Sequence, residues 1–233
     1  MDDDLFGPLL AIHAISGTIA LVVAPLALVV KKGGRWHRFW GRAFFYAMLA
    51  VCVTAIISGI TRPNILMALV ALFSFHMAVS GYRALYQKSF HRGARPGALD
   101  LLIQSLAGLV NGGLFIWGVS HLLLGHRDGA SIIFAAFGAL GLFMVFLQVR
   151  RFFNARQDRN EWLFAHMIGF MGCYVATLSA FSAVNLEMIR PAWLQWLWPT
   201  FIGIPLITIV VRYFRDKVGE GKRSRILARA RIK

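Results

Sequence analysis

Three histidines in long apolar segments are the residues of this sequence with the clearest chemical potential. His13, His76 and His166 each lie inside a run of uncharged residues, where an ionisable side chain is costly and usually functional. Neutral imidazoles serve as the two axial ligands of a b-type haem iron, or as three ligands of a transition metal. We therefore predict that these three side chains bind haem b or a transition metal, with electron transfer as the leading hypothesis for function.

The depth of these histidines allows, but does not require, a shared site. At a rise of 1.5 Å per residue they lie about 12, 17 and 23 Å below the outer boundary of a hydrocarbon core about 30 Å thick. Small residues share the helix face of two of them, Gly17 with His13 and Gly169 with His166, which leaves room for close packing or a planar cofactor. No two of the three share a helix in an HxxH or HxxxH spacing, so the sequence does not choose which ones pair.

Other interpretations of the same histidines stay open. In the first alternative, the histidines are the titrating groups of a small-solute or proton transporter or channel. Pro25 and Pro205 are the only hints of the broken helices that such proteins contain. Alternatively the protein is a non-catalytic membrane sensor or partner protein, and the imidazoles only form hydrogen bonds between helices. The candidate partners for such bonds are Ser16, Ser74, Asn111, Thr177 and Ser182. Whether the chain is an enzyme is left undecided.

The remaining histidines and the acidic residues narrow the chemistry. His121 and His126 could approach His13 from the outer surface, whereas His37 and His91 are placed in basic cytoplasmic loops that anchor the chain or bind phosphate or lipid headgroups. None of the ten acidic residues lies inside an apolar run. This argues against a carboxylate proton relay, an intramembrane aspartyl protease and a metallohydrolase with an embedded carboxylate base.

Composition and hydropathy place the chain in a membrane. Of its 233 residues 58% are hydrophobic and 15% charged, with a mean hydropathy of +0.63. Seven apolar runs predict an all-α bundle of seven transmembrane helices in residues 1–215, followed by a basic cytoplasmic tail in residues 216–233. Because the loops are short, we expect consecutive helices to be antiparallel neighbours. The predicted runs are Leu5–Val30, Ala43–Ile60, Ile65–Leu85, Leu101–Leu124, Ile132–Val149, Trp162–Val184 and Thr200–Phe214.

The distribution of cations orients the bundle. Of the 25 Lys and Arg residues, all but Arg62, Arg127 and Arg190 fall on one side if the N-terminus is outside. The positive-inside rule therefore predicts an outer N-terminus and a cytoplasmic C-terminus in the inner (cytoplasmic) membrane. The net charge of +15 lies in short loops and the tail, where it contacts anionic lipid headgroups and forms no folded face for nucleic acid.

A series of motifs runs from about His13 to Leu206. The motifs are His13 with Gly17 and Ala20-Leu21; Lys32-Gly33-Gly34, His37-Arg38 and Gly41-Arg42; His76 with Ser80-Gly81-Tyr82-Arg83; His166 with Met171-Gly172, Tyr174-Val175-Ala176-Thr177, Ala180-Phe181 and Asn185; and Trp193, Trp196-Leu197, Pro199-Thr200, Gly203 and Pro205-Leu206. Together they resemble an uncharacterised family of predicted bacterial polytopic membrane proteins, a domain of unknown function. The resemblance implies that His13, His37, His76 and His166 belong to shared motifs, and it implies no activity.

Overall fold

The protein is an all-α bundle of long helices, described here from a computed structural model. The structure describes residues 3–61, 65–126, 128–154 and 157–230, without the side chains of residues 3–5, 60–61, 65–67 and 220–230. The helices are α1 (Asp3–Val29), α2 (Arg35–Thr61), α3 (Ile65–Ala84), α4 (Ala98–Leu123), α5 (Gly129–Phe153), α6 (Glu161–Asn185) and α7 (Ala192–Ala230), with a 3-10 turn at Phe90–Arg92.

Six of the described helices are long and apolar enough to cross a membrane, by length and composition. They are α1, α2, α4, α5, α6 and the first 28 residues of α7, Ala192–Gly219. The third, α3, has 20 residues, three of which have no described side chain. Many large apolar side chains on these helices face outward, as expected of an integral membrane protein whose solvent is lipid.

The bundle packs around α3 and α6. Helix α1 lies against α2 and α4 against α5, while α3 contacts α2, α4, α5 and α6. The expectation that all consecutive helices are neighbours is wrong for α5 and α6, because α5 packs instead on α3, α4 and α7. Where α2, α3, α5 and α6 converge, the core contains Phe44, Phe73, Phe137 and Cys173, all at most 4% exposed.

Two helices begin eight residues earlier than the sequence predicts, whereas the starts of the others differ by three residues or fewer. Helix α2 starts at Arg35 rather than Ala43, so His37 lies on a helix and the prediction of a loop there is wrong. Helix α7 starts at Ala192 rather than Thr200 and so includes Trp193, Trp196 and Trp198. Charged and amphipathic side chains at a helix end reach the headgroup layer, so the apolar run is shorter than the helix that contains it.

The prolines do not interrupt their helices. Pro25 lies inside α1, and Pro199 and Pro205 lie inside α7. A transmembrane helix tolerates proline when its neighbours satisfy the carbonyl that is freed. The helices are therefore continuous at Pro25 and Pro205, where the transporter hypothesis expected breaks. Helix α7 also continues through residue 216, so no break in the backbone marks the predicted start of the tail.

Candidate functional site

The three predicted ligands are held by different partners in the structure. His13 contacts α2, His76 contacts α4, and His166 contacts the end of α3. Within the part of the chain that the structure describes, no group of three or more His, Cys, Asp or Glu side chains is arranged to hold a metal ion. The hydrogen-bond partners of the three histidines are not among the five hydroxyl and amide side chains that the sequence predicted.

His13 is bound to a threonine on the neighbouring helix. Its Nδ1 lies 3.0 Å from Thr54 Oγ1. The Thr54 hydroxyl donates its proton to the carbonyl oxygen of Ala50 at 2.7 Å, so in this arrangement His13 Nδ1–H is the donor to Thr54. The bond joins α1 to α2 in the same way that other polar side chains join transmembrane helices.

His76 belongs to a buried polar chain between α3 and α4. Its Nε2–H donates to Gln104 Oε1 at 3.0 Å, and Gln104 Nε2–H donates to Ser80 Oγ at 3.1 Å. The Gln104 side chain thus joins α4 to α3. His76 Nδ1 has no hydrogen-bond partner among the described residues, although the side chain is only 7% exposed. A buried acceptor without a donor is costly, so this atom is available to a water or a ligand.

His166 completes the C-terminal end of α3. The amide of Leu85 bonds to Tyr82 O rather than to Gly81 O, which leaves the Gly81 carbonyl without its helical donor. His166 Nδ1–H supplies that donor at 3.0 Å. Since unpaired carbonyls at helix ends need partners, this bond fixes both the position and the tautomer of the His166 ring.

His37 performs the same task at the end of α1. A tight turn, with Gly33 at φ 72°, reverses the chain and brings the first turn of α2, which contains His37, close to the last turn of α1. Val30 N–H bonds to Leu26 O, and His37 Nδ1–H donates to Ala27 O at 2.9 Å. The positive φ favours glycine because a side chain there is strained.

These two helix ends bring His37 and His166 together. Their ring centroids are 6.3 Å apart and their planes lie at 75° to one another. Both Nδ1 atoms donate to carbonyl oxygens, so in the neutral rings both Nε2 atoms carry a free lone pair. The negative ends of the α1 and α3 dipoles lie beside the pair and favour a positive charge there. At the end of α1, the Lys32 ammonium already donates to Ala27 O at 3.4 Å and to Leu28 O.

A direct contact between backbones sets the position of His166. A Cβ added at Gly169 would lie 2.6 Å from Gly81 Cα, and one added at Gly81 would lie 2.8 Å from Phe170 Cδ2. Helices α3 and α6 therefore touch at Gly81 and Gly169, one turn from His166. The small-residue face predicted for α6 serves this packing, and Phe170 fills the space beside the His166 ring at 4.8 Å.

The geometry of the pair is compatible with a shared metal ion. Two imidazoles that bind one ion at about 2.1 Å place their ring centres roughly 5–6.5 Å apart. Metal-binding histidines commonly donate their other ring N–H to a backbone carbonyl, as both of these do. A planar macrocycle needs a slot beside the rings, and Phe170 occupies one side of His166.

The sequence analysis proposed one member of this pair as a ligand and placed the other in a loop. His166 was predicted as a ligand, whereas His37 was predicted to anchor a basic loop. The available signal was its distance along the chain: His37 follows the end of α1 by eight residues, close enough to reach a free carbonyl there. At the opposite end of the bundle, His121 donates to Trp117 O on its own helix, and its ring stacks on Trp117 with the centroids 3.9 Å apart.

A second polar cluster lies at the same end of the bundle as the histidine pair. Arg83 donates two bonds to Asp100, from Nε at 2.8 Å and from Nη2 at 3.1 Å. Gln87 Nε2–H donates to Asp100 at 2.9 Å, and Gln87 Oε1 accepts from the buried guanidinium of Arg151. The cluster ties the ends of α3, α4 and α5 together.

Comparison with known proteins leaves the interpretation to this geometry. No protein-family model, curated protein or solved structure matches the chain.

Proposed function

We propose that this chain is a seven-span protein of the inner membrane that binds a transition-metal ion between His37 and His166. The N-terminus is outside and the C-terminus is cytoplasmic, so the pair lies near the cytoplasmic boundary. The supporting observation is that two imidazoles 6.3 Å apart both have Nδ1 bound to a carbonyl. The resemblance to the family of unknown function agrees with this proposal, because it implies that both histidines belong to shared motifs.

The ligand set suits an ion that prefers imidazole nitrogen. Imidazole binds Zn(II), Cu(II), Ni(II) and Fe(II), and solvent supplies further ligands because His37 and His166 are only half-buried. A redox-active ion here would form an electron-transfer centre, while haem b would require the helices to separate around His166. Metal binding displaces protons from imidazole, so we expect the affinity to fall in acid.

The test separates metal binding from the capping of helix ends. The protein is purified in detergent with a tag that lacks histidine, and its affinity for Cu(II) and Zn(II) is measured by calorimetry. His37→Ala and His166→Ala should each weaken binding by more than the roughly 10–100-fold that changes in the supporting shell cost. His166→Gln keeps an N–H donor for Gly81 O, so it should lose the metal while keeping more of its thermal stability.

The matched control is His121→Ala, which removes a histidine from the opposite end of the bundle. This variant should bind metal as the wild type does. Equal affinity in the wild type and both alanine variants at positions 37 and 166 would refute the proposed site. An absorption spectrum before and after dithionite distinguishes the ion from haem, because a Soret band that responds to reduction would identify haem as the ligand.

The polar chain between α3 and α4 favours proton or small-solute transport as a second candidate. His76, Gln104 and Ser80 are hydrogen-bonded inside the bundle, and Arg83 with Asp100 lies one to two turns nearer the α3 end. The unpartnered His76 Nδ1 offers a site for a proton or a donor. Proton flux into liposomes containing the protein should be abolished by His76→Phe and retained in His13→Phe; flux equal in both would exclude His76 as the relay.

A further inference from the structure

A cavity of about 410 Å³ lies between α5, α6 and α7, and neither His37 nor His166 lines it. Residues of α3 and α6 line its inner side, and residues of α5 and α7 line its two flanks. The lining is almost entirely apolar. It includes Phe73, Met77, Phe137, Met144, Gly172 and Ile204. The volume is within the range of about 300–1,000 Å³ typical of small-molecule sites.

The cavity opens to the surface that lipid covers. Phe143 on α5 and Ile204 on α7 both line it, yet they are 52% and 47% exposed. These two helices are the flanks of the opening, and both side chains are apolar. A ligand that enters between them therefore comes from the hydrocarbon phase rather than from water.

The cavity spans the depth of one leaflet along α7. Its lining extends from Thr200 to Arg212 and Arg215, and twelve residues of α-helix cover about 18 Å. A leaflet contributes about half of a hydrocarbon core of about 30 Å. Arg212 is twenty residues, again about 30 Å, from the start of α7 at Ala192, which places its guanidinium at headgroup level.

The headgroup end of the cavity is positively charged. Arg215 is bound to Glu161 at 2.7 Å and lies over the Phe164 ring at 4.3 Å, so its guanidinium is held in place. Arg212 has no ion-pair partner among the described side chains. The two arginines carry two positive charges and Glu161 neutralises one of them, so positive charge remains where the apolar lining ends. A guanidinium group can bind two phosphate oxygens at once.

We propose that this cavity binds one anionic phospholipid, with an acyl chain between α5 and α7 and its phosphate at Arg212 and Arg215. The apolar length matches one leaflet, the opening faces lipid, and the charge lies at one end only. This proposal is independent of the histidine pair and of the metal.

Native mass spectrometry of the detergent-solubilised full chain provides the test. Phosphatidylglycerol and phosphatidylcholine with identical acyl chains are added in turn, and the lipid-bound fraction is measured. The wild type should bind one phosphatidylglycerol in preference to phosphatidylcholine. Replacing both arginines (Arg212→Gln with Arg215→Gln) should weaken phosphatidylglycerol binding by about tenfold or more, since each lost charged hydrogen bond is worth about that factor.

Two further variants make the result specific. Arg150→Gln removes an exposed arginine that does not line the cavity, and should leave binding unchanged. Thr208→Trp obstructs the cavity from an exposed position on α7 without altering its charge, and should weaken binding of both lipids, with folding checked by thermal melting. Equal binding of the two lipids, or tenfold loss in neither the double-arginine variant nor Thr208→Trp, would overturn the proposal.

Discussion

At the scale of single residues, His37 and His166 are held by carbonyl oxygens at the ends of two helices. Ala27 O and Gly81 O lose their helical donors where α1 and α3 end, and His37 and His166 supply replacements. Supplying those donors also sets both tautomers, which leaves the Nε2 lone pairs unused. The structural role of these residues and their proposed chemical role therefore use opposite nitrogen atoms of the same ring, and substitutions that spare one role can remove the other.

Loss of the Asp100 carboxylate should strongly destabilise the protein. It is 3% exposed, accepts two bonds from Arg83 and one from Gln87, and also caps α4 by accepting from Gly97 N–H at 3.1 Å. Asp100→Ala leaves the buried Gln87 amide and the partly buried Arg83 guanidinium without their acceptor, so we expect a loss of about 3 kcal/mol in the free energy of unfolding. Thermal melting in detergent measures the change.

The exposed ion pair between Arg215 and Glu161 is the control for that prediction. Its side chains are 45% and 25% exposed, so solvent screens the interaction and Glu161→Ala should cost at most about 1 kcal/mol. A melting temperature lowered as much by Glu161→Ala as by Asp100→Ala would contradict the assigned importance of burial.

At the scale of helices, the close approach of α3 and α6 is the contact on which the histidine pair depends. Gly169→Ala places a Cβ 2.6 Å from Gly81 Cα, and backbone atoms cannot move aside as a flexible side chain can. We expect destabilisation of about 1–3 kcal/mol, typical of overpacking. We also expect weaker metal binding, since His166 moves with α6. Melting and calorimetry on one preparation measure both effects.

Gly113→Ala is the matched control on another helix. No atom lies within 4 Å of a Cβ added there, and alanine has the higher helix propensity by about 1 kcal/mol. This variant should be neutral or slightly stabilised and should bind metal normally. If Gly169→Ala behaved like Gly113→Ala, the contact between α3 and α6 would not be as tight as the structure shows.

At the scale of the whole molecule, the proposed orientation can be tested with cysteine labelling. The native Cys52 and Cys173 are 4% and 0% exposed, and their replacement by alanine gives a clean background. In spheroplasts, a membrane-impermeant maleimide should label Met188→Cys, between α6 and α7. It should label Ser89→Cys, between α3 and α4, only after permeabilisation. The reverse pattern would invert the orientation.

The helical content and the number of helices follow from the sequence alone. Long uncharged runs in lipid must satisfy their own backbone groups, and only a helix does so within one segment. For that reason the seven predicted runs each correspond to a helix. The ends were less well predicted, because Arg35 and Trp193 reach the headgroup layer from helical positions that the apolar runs exclude.

The identity of the neighbours was decided only by the tertiary structure. Hydropathy gives depth along the membrane normal but no direction within its plane, so it could not separate His13, His76 and His166 into three environments. The packing of Gly81 on Gly169 and the ends of α1 and α3 pair His166 with His37. Sequence by itself therefore determined that the chain is a helical membrane protein with imidazoles inside its apolar segments, and lateral packing decided which imidazoles meet.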